Sequence, residues 1–71
     1  MLRGTVFVNA VDAGHPCTIR DISEGGARLE MPDTSWVPDQ FSLAIHGRGM
    51  PVDVRVAWRG DTALGVAFVH R

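Results

Sequence analysis

Short runs of alternating apolar and polar residues, separated by glycine, proline and acidic residues, constrain the fold of this chain most strongly. Alternation with a period of two is typical of a strand with one buried face, and β-branched residues dominate the apolar positions. No segment shows helical spacing, so the sequence predicts an all-β protein. Six strands are expected, at residues 5–11, 17–22, 27–31, 41–45, 51–58 and 63–69.

Six short strands with one apolar face each predict a closed sheet. An open sheet would leave unpaired backbone groups along two edge strands, and closure into a small antiparallel barrel removes those edges. We expect one domain over residues 1–71, and a chain of this length buries only about 60% of its unfolded surface. Trp58 is expected at the rim of the core, and Trp36 is expected to cover a mouth of the barrel. The residues expected in the core are Ile19, Leu43, Val54, Val56 and Phe68.

The charge distribution argues against nucleic-acid polymers as partners. Seven arginines and no lysine are scattered among eight acidic residues, giving a formal net charge of -1. A polyanion would not be attracted by any strong positive field, although one or two placed arginines could hold a small anion.

No apolar run reaches the roughly 18 residues of a membrane helix, and no secretory signal opens the chain. The single cysteine, Cys17, excludes an internal disulfide framework. A cytoplasmic location without membrane insertion is expected.

No combination of nucleophilic or metal-ligating residues predicts an enzyme or a metal site. His15 and Cys17 are too few for a tetrahedral zinc site, and the other histidines have no spacing that would complete one. Ser23 has no nucleophile elbow around it. We therefore expect no catalytic residue, no metal and no cofactor.

The segment DISEGG, residues 21–26, permits two interpretations. As a hairpin turn, it uses Asp21 and Ser23 to bond backbone amides, and Gly25 or Gly26 takes the positive φ that closes the turn. As a ligand site, it presents a carboxylate, a hydroxyl and open glycine backbone at one strand end. A carboxylate accepts hydrogen bonds from a base edge that carries N–H donors, such as that of guanine. The hairpin accounts for these residues without a ligand, so the local sequence favours the hairpin interpretation over the ligand site.

The order of these motifs resembles the PilZ domain, a bacterial receptor module for cyclic di-GMP. The similarity covers nearly the whole chain, from CTIRDISEGGARLEM through PDQFSLAI and VRVAW to LGVAFV. A family motif, Asp or Asn followed by x-S-x-x-G, is matched by Asp21, Ser23 and Gly26. The resemblance implies a six-stranded antiparallel barrel that binds cyclic di-GMP at those three residues and acts in signal transduction.

A second family motif, R-x-x-x-R, precedes the first strand of PilZ domains and supplies arginines that hold guanine or phosphate. Here only Arg3 precedes the expected first strand, and it is a partial substitute for the pair. Either the chain is part of a longer protein whose arginine segment was lost, or it is a family member that keeps the barrel for another purpose. Two missing bidentate contacts of about 1–3 kcal/mol each would weaken binding on the order of a hundredfold or more. We expect weak or absent binding by these residues alone.

Two functions therefore compete. The first is a sensor or effector module, in which the arginine segment folds over cyclic di-GMP and creates a surface for a partner protein or an attached domain. The second is a degenerate barrel that binds proteins without a nucleotide, through an exposed strand edge or the loop around Trp36. The missing arginine pair favours the second function, and the DISEGG motif favours the first.

Overall fold

A computed structural model describes residues 2–69, and within that range it contains six strands and no helix. In the described part of the chain, no helix is therefore long and apolar enough to span a bilayer. The strands are β1 (Leu2–Phe7), β2 (His15–Ile22), β3 (Gly26–Glu30), β4 (Gln40–Ile45), β5 (Val52–Arg59) and β6 (Ala63–Phe68).

All six strands join in one closed antiparallel barrel, in the order β1-β2-β3-β6-β5-β4. The pairing of β1 with β4 closes the sheet, with Val6 opposite Leu43. The pairing of β3 with β6 places Leu29 opposite Leu64. The predicted all-β fold, a six-stranded antiparallel barrel, is confirmed.

The core fills the inside of the barrel with aliphatic side chains from all six strands. Ile19, Leu43 and Val54 are buried in it, as predicted. Val56 and Phe68 are only partly buried, and they pack against the core from its edge. Phe68 is the last residue of β6, so its ring lies at an end of the barrel where neighbours cover it incompletely. The side chains with the least exposure are Val6, Ile19, Leu29, Leu43, Val54 and Leu64.

The first strand departs most from the sequence prediction, which placed it at residues 5–11. It begins at Leu2, opposite Ile19, and ends at Phe7. Gly4 occupies an inward position, where a Cβ would lie 2.9 Å from Cδ1 of Ile19. Because glycine contributes no apolar side chain, it hides the alternation that would have identified the start of the strand.

The connection between β1 and β2 is held by the carboxylate of Asp12. This group accepts hydrogen bonds from the amide of Val8 at 2.9 Å and from the amide of Gly14 at 3.2 Å. The bond from Val8, followed by the bond from Gly14, lowers the pKa of Asp12. His15 approaches the same carboxylate at 3.2 Å, and its ring lies 4.4 Å from the ring of Trp36.

The lowered pKa of Asp12 predicts that part of the stability is lost in acid. The folded pKa lies below the unfolded value of about 3.9, so the contribution is complete above that value and is lost as the pH falls through the folded pKa. Asp12→Asn keeps one acceptor oxygen but loses the charge. We expect it to lower the melting temperature at neutral pH, and the gap to the wild type to shrink below about pH 4. Thermal unfolding over this range is the measurement, and a gap independent of pH would contradict the prediction.

The connection between β3 and β4 seals one end of the barrel, and its buried residues are Met31, Thr34 and Val37. Val37 is 3% exposed and belongs to the core cluster. The guanidinium of Arg59 holds the loop from β5, because it donates to the carbonyl of Thr34 and to that of Val37 at 2.8 Å. Trp36, expected to cover the barrel, is 42% exposed and lies beside His15 instead.

We predict that Arg59→Ala destabilises the domain through this loop. Hydrogen bonds from a charged donor are worth about 1.5–3 kcal/mol, and the free energy of unfolding should fall by about that amount. Asp39 also contacts Arg59, at 3.3 Å, but its side chain is 91% exposed. Asp39→Ala should therefore cost less than about 1 kcal/mol. Urea denaturation measures both, and equal losses would contradict the role given to Arg59.

Candidate functional site

Two β-bulges determine which side chains reach the outer surface beside the β2–β3 hairpin. The register shifts between Ile19 and Asp21 in β2, and between Val56 and Trp58 in β5. In regular strands, Asp21 and Trp58 would continue the inward positions of Ile19 and Val56. Each bulge inserts one residue and turns the next side chain outward. The result is one row across four neighbouring strands, formed by Asp21, Arg28, Gly65 and Trp58.

A groove of about 400 Å³ lies on this outer surface, between the hairpin and Trp58. Asp21, Ser23 and Gly26 line it, so three of the four predicted site residues come together. Arg3 does not join them, because it lines a separate groove.

Trp58 lies over Gly65 at one side of the groove. A Cβ added to Gly65 would lie only 1.9 Å from the indole Nε1, so the absence of a side chain there makes room for the ring. The ring covers the backbone of β6, yet Trp58 remains 49% exposed. The sequence prediction of a core rim residue, on the same face as Val54, is therefore wrong, because the bulge after Val56 reverses its direction.

Ser23 and Asp21 differ in the hydrogen bonds that their side chains make. The hydroxyl of Ser23 donates to the carbonyl of Gly26 over a long 3.4 Å, and the Ser23 amide donates to the same carbonyl at 2.8 Å. The carboxylate of Asp21 is exposed and makes no hydrogen bond or ion pair with any residue in the range 2–69. The hairpin interpretation thus accounts for Ser23 but leaves Asp21 unexplained.

Comparison with protein families matches residues 2–71 to the PilZ domain. The chain belongs to the PilZ domain family. This confirms the resemblance noted in the sequence. No curated protein and no solved structure gives a significant match. PilZ domains are in general cyclic di-GMP-binding modules rather than enzymes.

The two glycines of the DISEGG segment do not serve the turn as predicted. In the described residues, positive φ angles occur at Gly14, Gly47 and Gly49, and neither Gly25 nor Gly26 is among them. Gly26 is required by packing, because a Cβ there would lie 2.1 Å from the carbonyl oxygen of Val66. A Cβ at Gly25 would meet no atom within 4 Å. Close approach of β3 and β6 therefore explains Gly26, and packing gives no reason for Gly25.

This difference predicts opposite outcomes for two neighbouring substitutions. Gly26→Ala forces a methyl group against backbone that cannot move aside, and overpacking of this kind costs about 1–3 kcal/mol. Gly25→Ala meets open space at a permitted φ, so it should be neutral or stabilise by about 0.4–1 kcal/mol. Chemical denaturation compares the two variants. Similar losses in both would show that the hairpin itself needs glycine at each position.

A pair of arginines with R-x-x-x-R spacing does occur in this PilZ domain, inside β5. Arg55 and Arg59 have the spacing of the family motif but not its place in the chain, because the motif precedes the first strand of PilZ domains. The guanidinium of Arg59 is already bonded to the loop that seals the barrel. Arg55 faces outward, opposite Ala67. The two arginines therefore do not act as a pair at the groove.

Cys17 and the metal-ligating side chains are the other groups that the sequence singled out. Burial raises the pKa of the Cys17 thiol to about 11, so the thiol stays protonated at neutral pH. Only the thiolate is a good nucleophile or metal ligand. Among residues 2–69, no three His, Cys, Asp or Glu side chains converge in a way that could hold a metal ion. The groove itself is lined by the carboxylate of Asp21, the guanidinium of Arg28 and the indole of Trp58, groups that can hydrogen-bond, attract charge and stack.

Proposed function

We propose that this PilZ domain binds cyclic di-GMP in the groove between the hairpin and Trp58. The observation that carries the proposal is the unused carboxylate of Asp21. This carboxylate lines the groove and makes no hydrogen bond or ion pair with the described residues. A carboxylate accepts hydrogen bonds from the N–H donors on the edge of guanine. Asp21 thus gains in the complex the bonds that it lacks within the described chain.

The shape of the groove supports a flat aromatic ligand. Gly25 and Ala67 line it without bulky side chains, and a Cβ at Gly25 would meet no atom within 4 Å, so a base can approach the hairpin closely. Trp58 offers a half-exposed indole ring at one side. Stacking of a base on an aromatic ring is worth about 1–3 kcal/mol. The site therefore combines a planar surface with a hydrogen-bond acceptor, the two features that a guanine base needs.

The direction of β1 supports a role for a segment ahead of it. Leu2 pairs with Ile19 in antiparallel register, and Asp21 lies two residues further along β2. A segment that continues β1 toward its start would thus reach the groove. Ligand-induced ordering of such a segment would create a new surface for a partner protein or an attached domain, without any bond being made or broken. The proposal assigns no ligand contact to Arg3, which lines another groove.

Asp21→Ala tests the proposal in two proteins, the 71-residue chain and a version extended at its N-terminus with an R-x-x-x-R segment. We expect the extension to strengthen cyclic di-GMP binding by roughly a hundredfold or more, because it restores two bidentate contacts. We expect Asp21→Ala to weaken binding by about ten- to a hundredfold in the extended chain, because one charge-assisted interaction is lost. Titration calorimetry measures the affinities.

Glu24→Ala is the matched control, because Glu24 is an exposed carboxylate of the same hairpin that does not line the groove. It should leave the affinity almost unchanged. Thermal unfolding of each variant separates lost binding from lost stability. Unchanged affinity in a folded Asp21→Ala variant would refute the proposed site and favour a barrel that binds proteins without a nucleotide.

A further inference from the structure

Arg28 lines the groove and has no evident role in the structure of the hairpin. It lies on β3, directly between Asp21 of β2 and Gly65 of β6 in the outward row. Its side chain is exposed, and it makes no hydrogen bond or ion pair with the described residues. Directly opposed residues on paired strands have Cβ atoms about 4.5–5.5 Å apart, and opposite charges there usually attract. Arg28 and Asp21 are such neighbours, yet their charged groups form no ion pair.

We infer that Arg28 and Asp21 together read one guanine base, an inference that rests on the proposed cyclic di-GMP site. Guanine carries N–H donors on one edge and the acceptors O6 and N7 on the adjoining edge. A carboxylate accepts from the donors, and a guanidinium donates to both acceptors in a bidentate contact. Two adjacent side chains of opposite charge therefore match two adjoining edges of the base. Adenine has an amino donor where guanine has O6, so it would oppose Arg28 with a second donor.

If Arg28 contacts O6 and N7 of guanine, it determines the specificity of the site. The preference for guanine over adenine then distinguishes this contact from a contact between Arg28 and a phosphate group. A contact with O6 and N7 favours guanine over adenine, whereas a contact with phosphate favours both cyclic dinucleotides equally. Lysine keeps the charge but loses the planar fork that a bidentate contact requires. Arg28→Lys should therefore resemble Arg28→Gln if Arg28 reads the base.

Arg55 supplies a matched control on the same outer surface. It lies on β5 opposite Ala67, a residue of the groove, but it does not line the groove itself. Arg55→Gln removes the same charge from the same region as Arg28→Gln does. Any effect of the general electrostatic field should therefore appear in both variants, and it should be equal for the two ligands.

The experiment measures the affinities of cyclic di-GMP and cyclic di-AMP for the chain extended with R-x-x-x-R, as wild type and with Arg28→Gln, Arg28→Lys or Arg55→Gln. We expect the wild type to prefer cyclic di-GMP, and both Arg28 variants to lose about ten- to a hundredfold of that preference. Arg55→Gln should keep the preference. Thermal unfolding confirms that each variant is folded, and both substitutions at position 28 keep a long polar side chain on an exposed strand.

Three outcomes would overturn the inference. Equal weakening of both ligands by Arg28→Gln would identify a phosphate contact instead of a base contact. Unchanged cyclic di-GMP binding in the Arg28 variants would remove Arg28 from the site while leaving the proposed function intact. Absence of cyclic di-GMP binding by the wild-type chain extended with R-x-x-x-R would overturn both the inference and the proposed function.

Discussion

Backbone hydrogen bonds between β1 and β4 join the first strand to the fourth and close the sheet on itself. Without this pairing, β1 and β4 would each present an unpaired edge, and the inward side chains of a six-stranded sheet would face water. Closure lets a chain of 71 residues enclose a core of small aliphatic residues. It also confines any binding site to the ends or to the outer surface, because side chains fill the interior.

Closure also limits the surfaces through which this barrel can bind a protein partner. A partner strand cannot add to a sheet whose strands are all paired, so among the described residues the exposed strand edge considered from sequence does not exist. The loop around Trp36 remains as a surface, with the ring 42% exposed. That ring contacts His15 and lies on a loop held by Arg59, so its position on the outside of the barrel is fixed.

The alternation of apolar residues was sufficient to predict the fold class, the number of strands and three buried core residues, Ile19, Leu43 and Val54, because a period of two reports directly on a strand with one buried face. It failed where side-chain direction depends on a neighbouring strand. Trp58 follows Val56 in perfect alternation, and only the register against β6 reveals the bulge that turns it outward. Gly4 caused the opposite error, since an inward glycine leaves no apolar signal at the start of β1.

Only part of the candidate site could be predicted, because the direction of its side chains also depends on how the strands pair. The motif identified Asp21, Ser23 and Gly26, but the chain order could not show that two bulges bring Trp58 and Arg28 into the same row. It also could not separate the motif residues by role. Packing against Val66 explains Gly26, and the turn bonds explain Ser23. Since neither explanation extends to Asp21, the choice between a hairpin and a ligand site depends on this one carboxylate and on the cation beside it.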